Sequence, residues 1–203
     1  TVRDLLTHTS GLGYGGGSAG DRWRAAGIQG WYFADRKEPI AATVARMAAL
    51  PFDSQPGERW VYGYSTDILG VVVERASGMP LDNFLRTNIA GPLGMADTHF
   101  YLPREKKDRL ATVYGSGAKG LGRVPTPGAM VGQGAYVDGP RVSFSGGAGF
   151  LSTGGDYARF LQMMLNGGQF EGRRLISRKT VELMTTDNLR EATFQPGSGF
   201  GLG

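Results

Sequence analysis

The stretch from Glu58 to Gly78, ERWVYGYSTDILGVVVERASG, constrains the fold more than any other. Ser65 or Thr66 can cap a helix here and Ser77-Gly78 can end it. A hydroxyl satisfies free N–H groups at one end, and glycine takes the left-handed conformation at the other. Between those signals Ile68, Leu69, Val71, Val72 and Val73 spread apolar side chains nearly all round the helix, which predicts burial. A buried helix needs neighbours on several sides, so the rest of the chain must supply them. The turn ahead of it delivers Tyr62 to the helix mouth.

The covering elements are legible in chain order. Thr1 and Asp4 form a capping box that starts a short helix with Val2, Leu5 and Leu6 on its apolar face. Thr7 to Gly11 ends it, and His8 in that turn reads as structural. Residues 11–20 are a glycine-rich loop, and the aromatic and basic stretch through Trp23, Trp31, Tyr32 and Phe33 predicts an irregular wall over a pocket. Pro39 opens a helix carrying Ile40, Val44, Met47 and Ala48 that stops before Pro51. Pro80 opens another with Leu81, Phe84 and Leu85 inward, broken by Gly91-Pro92. A polar helix is predicted from Arg104 to Val113.

The stretch 115–139 is longer than the roughly 12 to 15 residues usual for a structureless loop, so it reads as functional, mobile or both. Alternation in Arg141-Val-Ser-Phe144 predicts a short strand. Thr153 and Asp156 read as a second capping box ahead of Tyr157, Phe160, Leu161, Met164 and Leu165 at helical spacing, and a last helix follows Ser177. Helix exceeds strand and no repeat is present. The expectation is one α+β domain over residues 1–203, mostly its helical region, with much of its antiparallel sheet outside the chain. Thr1 has no leader before it and FGLG ends without a turn, so both ends read as truncated.

Composition excludes several chemistries. There is no cysteine, hence no thiolate nucleophile and no cysteine-ligated metal. The only histidines, His8 and His99, are far apart and belong to no H-E-x-x-H pattern, so no metal site is expected. A net charge of +4 carried in scattered clusters without interleaved aromatics argues against a nucleic-acid partner. No apolar run is long enough to cross a membrane. Glycine supplies 34 residues, and that abundance breeds accidental motifs.

Three glycine patterns beginning at Gly11, Gly15 and Gly115 match G-x-G-x-x-G, but none follows a clear strand and opens a helix. Gly16-Gly-Ser18-Ala-Gly20 spells a nucleophile elbow without its strand-turn-helix setting. Ser116-Gly-Ala-Lys119 spells S-x-x-K, in which a lysine one helical turn on takes the serine proton, yet its flanking glycines disfavour the helix. Tyr62 is a stronger candidate. A phenol with pKa near 10 can relay a proton if cations or a helix N-terminus stabilise its phenolate. Spacing alone favours a packed aromatic with a satisfied hydroxyl.

Five segments in order change that balance: TVRDLLTHTSGL (1–12), QPGERWVYGYSTDILG (55–70), ERASGMPL (74–81), PLGMADT (92–98) and GGAGFLSTGGDYARFL (146–161). Together they resemble the serine β-lactamase-like family, and within it the family VIII carboxylesterases, relatives of class C β-lactamases and penicillin-binding proteins. The resemblance implies a β-lactamase/transpeptidase-like fold and a serine hydrolase that cleaves small carboxylic esters through an acyl-enzyme. It places Tyr62 at the proton-handling tyrosine. Tyr64 falls where lactamases carry an asparagine that meets the lactam side chain, which favours esters over β-lactams. Tyr14 matches an aromatic of the acyl pocket, and Trp31 can add to that wall.

The family's S-x-x-K precedes the first of these segments and its K-T-G or W-G-G strand follows the last, so neither is expected within these residues. No cofactor is implied. The alternatives are a β-lactamase or D,D-peptidase, or a catalytically silent relative that binds a ligand. The sequence fixes neither the acyl and alcohol groups nor the oligomeric state.

Overall fold

The computed structural model describes residues 1–16, 19–28, 30, 33–118, 120–124, 135–189 and 198–203. Among them the helices are α1 (Val2–Leu6), α2 (Gly20–Ala25), α3 (Ile40–Met47), α4 (Ser65–Ser77), α5 (Leu81–Leu85), α6 (Gly154–Leu165) and α7 (Arg178–Thr185). A π-helical turn, Arg86–Ala90, continues α5, and a 3-10 turn spans Arg104–Arg109. Two antiparallel hairpins complete the elements: β1 (Tyr114–Gly117) pairs with β2 (Gly120–Arg123), and β3 (Gln169–Phe170) with β4 (Arg173–Arg174). No helix among the described residues is long and apolar enough to cross a membrane.

Helix α4 packs against α1, α3 and α5. Gly78 ends it in the left-handed conformation, φ 69°. Its burial differs from the expectation. The fully buried positions are Ser65, Asp67 and Gly70, while Ile68, Leu69, Val71 and Val73 are half-buried and Val72 is exposed. Backbone approaches this helix too closely for large side chains on that face. A Cβ at Gly70 would lie 3.1 Å from the Gly146 nitrogen, and one at Gly146 would lie 2.2 Å from the Thr66 carbonyl oxygen. Neither Ser65 nor Thr66 caps the helix. Tyr64 holds the N-cap position without a side-chain bond, and Ser65 instead shares a buried hydrogen bond with Ser10, Oγ to Oγ 2.8 Å.

Three apolar clusters form the core. The largest joins Leu12, Trp23, Ile28, Phe33, Ile40, Met47 and Tyr64. A second holds Ala34, Leu81, Phe100 and Tyr101, and a third Ala90, Leu93, Met95 and Met163. The expected irregular wall after the glycine loop contains a helix, α2, whose Trp23 is buried and donates its indole N–H to the Pro51 carbonyl at 3.1 Å. The expected polar helix from Arg104 closes after one 3-10 stretch, since Leu110 turns extended.

The strand expected at 141–144 is not formed. Arg141 has φ 59°, and the carbonyl of Ser143 accepts from the Tyr101 hydroxyl at 2.9 Å rather than from a neighbouring strand. The capping box at Thr1 is present in full. At Thr153 only half of the second box forms. The Thr153 hydroxyl accepts from the Asp156 N–H, but the Asp156 carboxylate turns away to the backbone N–H of Asp97 (2.7 Å) and the hydroxyl of Thr98 (2.9 Å).

Candidate active site

Tyr62 stands at the end of a segment zipped to the turn after α1. The N–H of Asp53 donates to the Gly11 carbonyl (2.8 Å), that of Gly57 to Thr9 (2.8 Å) and that of Val61 to His8 (2.7 Å). Glycine is required at position 63, because a Cβ there would lie 2.2 Å from the Leu12 carbonyl oxygen. The chain can therefore pass flat against residues 12 and 13, which sets Tyr62 beside His8 and Tyr14.

The ring of Tyr62 is held on three sides. His8 lies 4.9 Å from it centroid to centroid, Trp60 stacks at 5.7 Å with an interplanar angle of 18°, and Tyr14 meets it edge-on at 5.7 Å. Yet Tyr62 is 56% exposed. Aromatic contacts of this kind fix a ring in place, and the Tyr62 side chain also lies within hydrogen-bonding reach of Tyr14.

His8 is 2% exposed and takes the left-handed conformation at φ 54°. Gly11, in the turn that ends α1, takes the left-handed conformation as well, at φ 82°. Burial lowers the His8 pKa, with a backbone hydrogen bond to Val61 working against it, so the imidazole packed on Tyr62 is neutral at pH 7. Phe200 closes this corner, 5.6 Å from the His8 ring and 5.8 Å from Trp60.

Tyr14 is half-buried and bridges Tyr62 to Tyr64, which it meets edge-on at 4.9 Å. Burial, then the neighbouring Tyr62 and Asp67, push its pKa up to about 12, so it remains a neutral phenol. Tyr64 does not line a surface. It is 0% exposed, stacks on Trp23 at 5.6 Å and donates its hydroxyl to the Gly30 carbonyl at 2.7 Å. The expected direct contact of Tyr64 with substrate is therefore corrected to a core position beneath Tyr14. Trp31, Ser18 and Lys119 lie outside the described residues. Ser116, the serine of the literal S-x-x-K, lies in hairpin strand β1, not on a helix.

The structure adds residues that the pattern did not single out. Asp67 is 1% exposed, and its carboxylate accepts from the Ser145 hydroxyl and from the N–H of Gly147. It thereby ties residues 145–147 to the start of α4, close below Tyr14 and Tyr64. A carboxylate among the apolar residues of a helix was the available signal for it. Phe200, from the far end of the chain, had none. Among the described residues no three His, Asp or Glu side chains converge as metal ligands do.

The fold is of the β-lactamase/transpeptidase-like class, and the exposed Tyr62 precedes its helix α4. The Beta-lactamase family model matches residues 1–203, and the chain belongs to that family. Protein Rv1367c of Mycobacterium tuberculosis (strain ATCC 25618 / H37Rv) is 37% identical over 210 residues, covering 99% of this chain and 50% of that protein. Esterase EstB of Burkholderia gladioli is 36% identical over 180 residues, covering 80% and 43%. Among solved structures, EstCE1, a hydrolase with promiscuous acyltransferase activity, superposes with a TM-score of 0.82 at 25% identity, covering 98% of this chain and 54% of that one. The chain spans about half the length of these relatives.

Proposed function

We propose that these residues form the tyrosine-bearing part of a serine hydrolase that cleaves small carboxylic esters through an acyl-enzyme. The serine and lysine of an S-x-x-K outside the 203 residues complete the site. Serine Oγ attacks the ester carbonyl, its proton passes to the lysine and Tyr62 pair, and the alcohol leaves with a proton returned through the same pair. Water then releases the acid. Tyr62 shares this proton traffic, and Tyr14 walls the acyl group.

The observation that carries the reading is Tyr62 itself, fixed by His8, Trp60 and Tyr14 yet open to solvent. The esterase name of the EstB relative supports the ester chemistry. Tyr64 favours esters over lactams, because its hydroxyl is committed to Gly30 and nothing at that position can present an amide to a lactam side chain. In the protein with its natural flanking sequence, Tyr62→Phe should lower kcat on p-nitrophenyl butyrate roughly a hundredfold to ten-thousandfold with little change in KM. Undiminished acylation by the variant would remove Tyr62 from the chemistry. Faster turnover of a chromogenic cephalosporin than of the ester would replace the esterase reading with a β-lactamase.

A further inference from the structure

A cavity of about 330 Å³ lies between α5 with its π-turn and the segments 98–103 and 141–150. It shares no lining residue with the Tyr62 cluster. Its volume falls at the lower end of the roughly 300 to 1,000 Å³ typical of small-molecule sites. Phe100, Phe144 and Phe150 form one wall, with Phe100 edge-on to Phe144 at 5.6 Å and to Phe150 at 4.6 Å. The neighbouring Tyr101 is pinned from behind, its hydroxyl shared between the carbonyls of Ala34 and Ser143 at 2.9 Å each. These two bonds fix Tyr101 beside the apolar wall.

The polar side carries two arginines. Arg141 is positioned by its own fold: one guanidinium nitrogen donates to the carbonyls of Leu102 (2.7 Å) and Val137 (2.9 Å), and the group lies 5.8 Å over the Tyr101 ring. Its backbone at φ 59° is in the left-handed region that β-carbon sterics disfavour, a strain that persists where surrounding contacts fix it. Among the described residues the Arg86 side chain, at the start of the π-turn, donates only to the side chain of Asn83. Arg46 and Arg109 pair with Glu38 and Asp97, but among the described residues neither Arg86 nor Arg141 has a carboxylate at ion-pair distance. Among the described residues Asp82 is the one carboxylate of the lining, against two guanidinium groups, with Asp35 acting on Tyr101 from outside it. His99, also in the lining, has its pKa lowered by burial and by Lys106.

We propose that this cavity binds a small carboxylate bearing an aromatic or branched apolar group. Two guanidinium groups without a carboxylate at ion-pair distance match an anion, their planar geometry matches a carboxylate, and the phenylalanine wall takes the apolar body. The assignment does not depend on the ester chemistry proposed for Tyr62.

Phenylacetate serves as the probe, titrated calorimetrically into the protein with its natural flanking sequence. Saturable binding is expected, with the neutral phenylacetamide and inorganic phosphate each at least about tenfold weaker, since one lacks the charge and the other the apolar body. Arg86→Gln and Arg141→Gln should each weaken phenylacetate about tenfold or more. If Arg141→Gln fails to fold, Arg86→Gln decides, because its side chain makes a single surface bond. No saturable phenylacetate binding, equal binding of the amide or of phosphate, or an unchanged Kd in Arg86→Gln would each overturn the proposal.

Discussion

Asp67 shows how one side chain couples the site to pH. It lies in the first turn of α4, buried, with Ser145 and Gly147 donating to its carboxylate, and burial pushes its pKa up to about 6 against those hydrogen bonds. The unfolded chain releases the same proton near 3.9. Between those values the folded state holds more protons than the unfolded one. The stability Asp67 contributes is therefore greatest below about pH 4, falls as pH rises to about 6, and is level above. The gap amounts to roughly 3 kcal/mol. Asp67→Asn removes the titration, so the unfolding free energy of the variant minus that of the unsubstituted protein should grow by roughly 2 kcal/mol between pH 4 and 6.5 in urea titrations. A difference constant with pH would refute it. The sequence marked Asp67 only as a charge on an apolar helix, because the groups that satisfy it lie 78 and 80 residues away. Family context points to Tyr62, whose role is the one proposed above, whereas it sets Tyr64 against substrate, because nothing local shows that Trp23 and Gly30 reach it.

At the scale of elements, glycines set how closely backbone segments approach. Gly63 faces the Leu12 carbonyl and Gly13 with no room for a methyl group, whereas a Cβ at Gly16 meets nothing within 4 Å. Gly63→Ala should therefore cost about 2 kcal/mol or more in urea unfolding and also displace Tyr62, while Gly16→Ala should be close to neutral. Equal effects at the two positions would show that the approach of 62–64 to residues 12–13 does not govern the site. Helix starts were the most readable elements. Thr1, Thr153 and Ser177 cap as their neighbours suggest, and Pro39 and Pro80 stand just before the helices they introduce. Their signals are local hydrogen bonds and fixed φ values. The strand predicted at 141–144 failed because alternation of side chains carries no information about whether a partner strand lies alongside.

At the scale of the molecule, long-range polar bonds hold the helices in register. Asp156 on α6 receives the Asp97 N–H and the Thr98 hydroxyl, 59 and 58 residues distant, and the bridge between His99 and Leu151 lies beside it. Asp156→Ala leaves the Asp97 N–H without its acceptor and should destabilise the protein by about 2 to 4 kcal/mol, visible as a lowered Tm with α6 still capped by Thr153. An unchanged Tm would mean that other contacts join α6 to 97–99. The sequence by itself determined the caps at Thr1, Thr153 and Ser177, the exclusion of thiol chemistry and, through five ordered segments, the family that the comparisons bear out. Those properties reside in neighbouring residues or in motif order. Only the tertiary structure decided that His8 and Phe200 close around Tyr62, that Tyr64 is core, that Asp67 holds residues 145–147 and that two arginines share one cavity. Burial and electrostatics depend on which distant segments meet, and no local pattern encodes that meeting.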